Sequence, residues 1–150
     1  MDHVAIMSKQ FGDLISKILT NEKTIESRWS KNKISPYDKI KFGDVVYFKN
    51  SGGPIIAKAV VSHVIQFDKL NSTEFEYITK NFGKQICLQN TKYDVWYKSK
   101  NYVTLIFLKD PQTIKPFNIN KSGFGSGCAW ITVPRIESLI FPPEGWKSNV

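Results

Sequence analysis

Residues 45–67 constrain the fold of this chain more than any other stretch. They contain VVYFK, a short run typical of a strand, and then the longer run IIAKAVVSHVIQF, with SGGP between the two. Glycine and proline at 51–54 predict a tight turn, and Phe42-Gly43-Asp44 predicts the turn that leads into the first strand. The second strand is expected to bend or bulge near Val60–Ser62. Residues 45–67 are therefore predicted to form a β-hairpin.

The remaining apolar runs predict further short strands with helices between them. Strand-like runs occur at 3–7, 24–29, 101–109, 113–119 and 128–133, the fourth interrupted by Pro116. Helical spacing of apolar residues begins after Ser8 as N-cap, and it recurs from Ser72 to an expected stop at Gly83. About six short strands with two or three helices predict an α+β fold. We expect a small mixed β-barrel rather than a parallel sheet, in one domain spanning residues 1–150.

Length and composition narrow the class of protein. A chain of 150 residues with 41% hydrophobic residues can bury a core of its own. Its apolar runs are too short to span a bilayer, and its first residues do not resemble a signal peptide. Cys87 and Cys128 form no CxxC motif and have no histidine at ligand spacing, so neither a metal nor a cofactor is expected. The reducing cytoplasm is the expected location.

The charge of the chain is strongly basic and unevenly placed. The formal net charge is +8, and the only arginines are Arg28 and Arg135. Residues 84–121 hold seven lysines against two aspartates, a local balance of +5. Abundant Lys, Asn and Ile are also what A/T-rich codons would give, so composition alone explains part of this charge. A basic, aromatic-rich face nevertheless can bind a polyanion such as RNA by releasing counterions.

Residues 22–29, EKTIESRW, combine six charged or polar side chains with Ile25 and Trp29. If residues 24–29 form a strand, alternation places Glu26 and Arg28 on one face with Thr24. That polar face is expected to line a wet cleft, while the face of Ile25 packs inward. Lys23 joins the cleft only if it lies in the turn before the strand.

The order of these elements resembles the ASCH domain of the PUA-like superfamily. The family signature is a lysine, two residues, a glutamate, one residue and an arginine, followed by a Gly-Asp pair that enters a strand. Here those residues are Lys23, Glu26, Arg28 and the pair at 43–44. Lys9 occupies the place of a basic residue found before the first helix in the family. The resemblance implies a small β-barrel with a cleft and a function in recognising RNA or modified bases.

Some members of that family are hydrolases, which leaves a second function open. One subset removes an acyl group from acetylated cytidine, and another cleaves RNA. The amidohydrolase pattern has a lysine, two residues and a threonine, whereas this chain has Glu26 at the threonine position after Lys23. The hydroxyl of that subset is therefore missing here. The catalytic glutamate of that subset lies in the helix region after the barrel strands, where the resemblance does not decide between Glu74, Glu76 and neither, so no catalytic role is carried over to them.

The chemistry of the signature residues suits recognition. Arg28 offers a planar fork of donors for a phosphate or a base edge, and Glu26 can accept from an exocyclic amine or orient the arginine. Lys9 and Lys23 supply positive charge for a phosphate or a developing oxyanion. The alternative is a Glu26–Arg28 surface ion pair of little energetic worth. In that case Arg28 is a structural strut.

Aromatic residues extend the candidate site. Trp29 and Trp130 can form a stacking platform for a base, or they can simply fill the core. Phe124, between two glycines of GFGSG, is expected to cap a ligand or to plug the end of the barrel. Lys49 and Ser51 flank the hairpin turn and are further candidates for ligand binding.

Residues 92–100 form a separate candidate surface for nucleic acid. Tyr93, Trp96 and Tyr97 alternate with Lys92, Lys98 and Lys100. Such a mixture suits single-stranded RNA, whose bases are free to stack, but lysines around a buried aromatic cluster give the same sequence.

The sequence favours a binding domain over an enzyme. No serine or cysteine stands in a recognisable motif with either histidine, and GFGSG lacks the lysine of a phosphate-binding loop. The expected partner is RNA or a modified nucleoside or nucleotide. The alternative is a small hydrolase in which Lys23 and Glu26 share proton-transfer roles. A protein-interaction domain is a third possibility.

Overall fold

The computed structural model describes residues 1–88, 94–125 and 127–140, which form one six-stranded sheet with three α-helices. In chain order the elements are β1 Asp2–Met7, α1 Leu14–Leu19, β2 Ile25–Ser30, β3 Val45–Asn50, β4 Ile55–Phe67, α2 Ser72–Ile86, α3 Asp94–Lys98, β5 Tyr102–Phe117 and β6 Trp130–Val133. Short 3-10 helices occupy Lys9–Phe11 and Ile136–Leu139.

The sheet is mixed and curls into an open barrel. Its strand order is β2-β5-β4-β3-β1-β6, so β2 and β6 are the two edges. All neighbouring strands are antiparallel except β1 and β3, which run parallel. The predicted α+β class and open mixed barrel are confirmed. A barrel that does not close leaves a seam between its edge strands, and that seam positions the site.

The predicted hairpin at residues 45–67 is present, and its two strands lie at the centre of the sheet. Val45 pairs with Val60 and Phe48 with Ala57, while Gly52 in the turn has a φ of 79°, which favours glycine. The pairing of β4 with β5 shifts register between Val61 and His63, so the predicted bulge is also confirmed. Bulges strengthen twist locally, which helps the long strands to curl.

Three hydrophobic clusters hold the sheet. The inner one joins β1, β3, β4 and β5 to α1, and Phe48, Ile15 and Ile18 are its largest fully buried side chains. A second lies on the other face, where α2 covers β2 and β5 around Ile25. A third packs Ile131 of β6 beside the 3-10 helix at Ile136–Leu139. Both faces of β2 are therefore interior, which bears on every residue of the signature.

Two predicted helix limits and one strand limit differ from the structure. The helix expected after Ser8 is split, because Gly12 has a φ of 86° and Asp13 starts a new N-cap. The second helix passes Gly83 and ends only at Cys87, which adopts the left-handed conformation. Pro116 does not interrupt β5. Because β2 pairs with β5 only up to Phe107, one side of the later part of β5 has no partner strand among the described residues, and such a side tolerates proline.

No helix within residues 1–88, 94–125 and 127–140 is long and apolar enough to cross a membrane. The same residues contain no group of three His, Cys, Asp or Glu side chains placed to hold a metal ion.

A buried histidine connects β1 to the turn before β3 and to β6. His3 is fully buried, and its Nε2 lies 2.8 Å from Asp44 Oδ2. Its Nδ1 lies 3.2 Å from the indole Nε1 of Trp130 and 3.0 Å from the Thr132 hydroxyl. Because an indole N–H can only donate, Nδ1 is the acceptor and Nε2 carries the proton that goes to Asp44. This network holds the neutral form of His3.

The His3 network predicts a loss of stability in mild acid. Burial lowers the pKa of His3 below 6.5, although Asp44 raises it in part. The unfolded chain therefore takes up a proton before the folded one does, and the free energy of unfolding falls as the pH drops below 6.5 towards the folded pKa. Urea midpoints at about pH 7.5 and about pH 5.5 measure this loss. It should shrink in His3→Gln and persist in His63→Gln, which alters an exposed histidine. An unchanged loss in His3→Gln would remove His3 as its source.

Candidate functional site

The candidate site is a cleft at the open seam of the barrel. Its cavity of about 930 Å³ lies between β2, the end of β1 and the segment that enters β6. Seven aromatic side chains line it: Phe11, Trp29, Tyr37, Trp96, Tyr97, Phe124 and Trp130. Polar lining comes from Lys23, Glu26, Arg28, Thr104, Lys33 and Lys39. Aromatic walls with a few polar groups are typical of sites for small planar ligands.

The signature residues reach the cleft through the alternation of β2. Glu26 pairs across the strands with Ile106 and Arg28 with Thr104, on the inner face of the sheet. Ile25 points the other way, into the cluster under α2. The predicted division of faces is correct, but the polar face is not wet, because Glu26 is only 4% exposed. The signature residues Lys23 and Glu26 are therefore buried, and they meet solvent only through the cleft.

Arg28 bridges the seam. Its Nη1 donates to Ala129 O at 3.1 Å and to Ile6 O at 3.4 Å, and its Nη2 donates to Ile6 O at 3.4 Å. The guanidinium also lies 5.0 Å from the centre of the Trp130 ring, within cation–π range. A residue of one edge strand is thereby fastened to the other side of the opening. These contacts use the donor fork that the recognition hypothesis assigned to a ligand, and they favour the strut.

Glu26 and Arg28 are the polar side chains of the site with unmet bonding capacity among the described residues, through Glu26 Oε2 and Arg28 Nε. Its Oε1 lies 3.4 Å from Arg28 Nε, an ion-pair separation without hydrogen-bond alignment. Its Oε2 has no hydrogen-bond partner within the residues that the structure describes. A buried acceptor left without a donor costs on the order of 1–3 kcal/mol, and more when it is charged. The carboxylate is therefore a strong candidate for a contact with a ligand.

Lys23 follows α1 in the turn, as the cleft hypothesis required, but its side chain points inward. It is only 2% exposed, and its Nζ donates to Ile25 O at 2.9 Å and to Ile86 O at the end of α2. Burial lowers the pKa of Lys23, and the charge of Glu26 raises it in part. The amine thus fastens α2 to β2 at the floor of the cleft instead of offering charge at its mouth.

The tryptophans and Phe124 have different surroundings. Trp29 packs 4.8 Å from Tyr97 between ring centres and donates its indole N–H to the Ser27 hydroxyl, so it is part of the core with one side on the cleft. Trp130 is also largely buried, with its indole directed at His3. Phe124 lies on the rim, partly exposed, between two glycines of positive φ. All three line the cleft.

Three predicted site residues lie elsewhere. Lys9 is exposed on the first 3-10 helix and does not line the cleft. Lys49 is buried near the end of β3 and does not line the cleft. There, burial and then the charge of Lys121 lower the pKa of Lys49. Ser51 is exposed in the hairpin turn. The hairpin itself forms as predicted, but neither Lys49 nor Ser51 at its turn lines the cleft.

The basic and aromatic segment near residue 96 belongs to the same cleft. Trp96 and Tyr97 line it, so the expectation of a separate surface is wrong for them. Lys100 Nζ lies 4.3 Å from the centre of the Trp96 ring, which keeps a cation at the rim. Lys92 and Tyr93 lie outside the described residues. The mixture of lysines and aromatic residues correctly drew attention to this segment. The contact between α3 and β2, which brings the segment to the cleft, could not be predicted from the sequence.

Sequence reasoning missed several lining residues. Thr104 is buried opposite Arg28, and Tyr37, Lys33 and Lys39 come from the loop after β2. That loop carries polar and aromatic residues around a proline, a composition that predicts a surface loop and does not indicate a binding site. Thr104 could have been found only by predicting that β2 pairs with β5, and the sequence gives no sign of that pairing.

These features define an open mixed barrel with an aromatic cleft at its seam, and the fold is that of ASCH domain structures. A solved structure of ASCH from Zymomonas mobilis is similar, with a TM-score of 0.57 over 78% of this chain and 73% of that chain at 18% identity. A Tyr→Phe variant and a Ser→Ala variant of that protein give TM-scores of 0.57 and 0.58, also at 18% identity. No protein-family model matches the sequence, and no curated protein matches it significantly.

The bridge made by Arg28 predicts a stability defect in Arg28→Lys. A lysine keeps the charge but cannot reach two carbonyl oxygens and Glu26 together, so we expect the free energy of unfolding to fall by about 1–3 kcal/mol. Arg135→Lys is the matched control, because the Arg135 side chain is 80% exposed. It should cost less than about 0.5 kcal/mol. Urea denaturation measures both. Wild-type stability in Arg28→Lys together with lost ligand affinity would restore the recognition role.

Proposed function

We propose that this chain is an RNA- or modified-nucleotide-binding ASCH domain whose cleft around KTIESRW receives the base of the ligand. The observation that carries the proposal is the cleft itself: about 930 Å³, walled by aromatic rings, with a buried carboxylate that has an unpartnered oxygen within the described residues. A nucleobase is planar and rich in polar edges, so it matches both features.

The aromatic rim supports stacking as the source of affinity. Trp96 is 41% exposed, and Phe124 is exposed to the same degree, although large apolar rings are usually buried. Both line the cleft from opposite segments of the chain, α3 and the loop before β6. An exposed ring at the mouth of a cleft offers its face to a base at little reorganisation cost. Base–aromatic stacking contributes roughly 1–3 kcal/mol per base.

The charge distribution supports a phosphate at the mouth rather than at the floor. Lys33 and Lys39 line the opening, and Lys100 lies over Trp96. The floor carries the carboxylate of Glu26, which would repel a phosphate, while Lys23 and Arg28 direct their donors to backbone carbonyls. A nucleotide therefore fits with its base inward and its phosphate outward. With a net charge of +8, the chain should also attract a polyanion from a distance.

Binding to short single-stranded RNA tests the proposal. We expect the affinity to fall steeply with salt, because each phosphate contact releases counterions. Trp96→Ala should weaken binding by roughly 1–3 kcal/mol without lowering stability. Tyr77→Ala, which removes a 53% exposed ring from α2 outside the cleft, should leave binding unchanged. Titrations by fluorescence anisotropy measure both. No binding at low salt would refute the proposal.

A small hydrolase acting on RNA or on acylated nucleosides is the second candidate. It is favoured by Lys23, because burial lowers the pKa of this amine and leaves more of it neutral. A neutral amine near the carboxylate of Glu26 can exchange protons with a bound substrate. The contacts of Lys23 with Ile25 O and Ile86 O favour a structural role instead.

Turnover separates the two candidates. The protein is incubated with a panel of RNAs and acylated nucleosides, and the products are resolved by chromatography. For a hydrolase, we expect Lys23→Ala and Glu26→Gln each to lower turnover by about 100-fold or more. Lys80→Ala, an exposed lysine of α2, should have no effect. Turnover that survives in both cleft variants would remove these residues from the mechanism. If the intact protein shows no turnover, the hydrolase is refuted and the binding domain remains as the proposed function.

A further inference from the structure

We propose that the base bound in this cleft carries an exocyclic amino group and that Glu26 selects it. The inference rests on the proposed function and names its ligand class: cytosine- or adenine-type bases in preference to uracil- or hypoxanthine-type bases. It follows from the bonding capacity of the groups at the floor of the cleft.

The floor presents an acceptor without a partner. An ionised carboxylate only accepts hydrogen bonds, and Glu26 Oε2 has no donor within the described residues. Most N–H groups of the neighbouring cations go to the backbone: Lys23 Nζ to Ile25 O, and the Nη atoms of Arg28 to carbonyls across the seam. Arg28 Nε also has no hydrogen-bond partner within the described residues, but it lies 3.4 Å from Glu26 Oε1 and so faces the other oxygen of the carboxylate. A ligand that reaches Glu26 therefore meets its unmet demand by bringing an N–H group.

The carboxylate is also held in place. Arg28 Nε lies 3.4 Å from Glu26 Oε1, and Arg28 is itself anchored to Ala129 O and Ile6 O on the far side of the seam. The backbone of Glu26 is fixed by the pairing of β2 with β5. An acceptor that cannot turn away from an unsuitable group discriminates better than a mobile one, because the mismatch is not relieved by reorientation.

The two classes of base differ at this contact. An amino group points N–H bonds at the carboxylate and forms a charge-assisted hydrogen bond. A keto group at the same position points oxygen lone pairs at the carboxylate and repels it. Uracil and hypoxanthine can donate a ring N–H instead, but the keto oxygen next to that N–H then comes close to the carboxylate and weakens the contact. A site built around a buried polar group rejects the mismatched ligand far more strongly than an apolar pocket rejects a change of size.

The test compares bases that differ only in this group. Dissociation constants are measured by calorimetry for cytidine and uridine monophosphates and for adenosine and inosine monophosphates. We expect the amino-bearing member of a pair to bind about tenfold to a hundredfold more tightly. Glu26→Gln should abolish or invert that ratio, because an amide can donate to a keto oxygen. Glu76→Gln, an exposed glutamate of α2, should leave the ratio unchanged.

The outcomes separate this inference from the proposed function. Binding of all four nucleotides with ratios near one, or a preference that survives in Glu26→Gln, would overturn the selection by Glu26 and leave nucleotide binding in place. Binding of none by the intact protein would overturn both. If Glu26→Gln does not fold, Glu26→Asp keeps an acceptor set back by one methylene. It should weaken the preference without inverting it, and an inverted preference there would also count against the proposal.

Discussion

The contact between the Arg28 guanidinium and the backbone across the barrel seam holds the rest of the site in place. A curled sheet with two free edges has no ladder of hydrogen bonds to close it, so its edges can part. Arg28 supplies two or three side-chain bonds where strand pairing is missing, and it stacks on Trp130. The same guanidinium faces Glu26. Closure of the barrel and placement of the carboxylate therefore depend on one side chain.

Local patterns in the sequence were sufficient for the central hairpin and for the faces of β2. The residues at 51–54 specify a tight turn, and alternation along 24–29 separates Glu26 and Arg28 from Ile25 whatever lies around them. The ASCH resemblance, which rests on the order of those elements, supplied the expectation of a barrel with a cleft. These features are determined by residues close together in the chain, so they can be predicted without a structure.

Contacts between distant segments explain what could not be predicted. The direction of the Lys23 side chain depends on where α2 ends, and Gly83 gave a false stop for that helix. The place of Trp96 depends on α3 lying against β2, and the position of Lys49 depends on which face of β3 turns inward. A signature motif identifies the residues that matter, but the bonding partners that decide each role come from other strands and helices.

The strand order carries a consequence for how the chain assembles. β1, the first of the six described strands in chain order, lies between β3 and β6, with Asp2 opposite both Val45 and Val133. Its first partner is parallel and follows a helix and another strand, and its second is the last strand of the sheet. Such distant pairings are slow to form, because the loops between them must be ordered before the contacts can repay the entropy. During synthesis, β1 therefore lacks its second partner, and His3 lacks its contact with Trp130, until β6 has emerged as far as Val133. Of the six described strands, β6 is then the last to join the barrel.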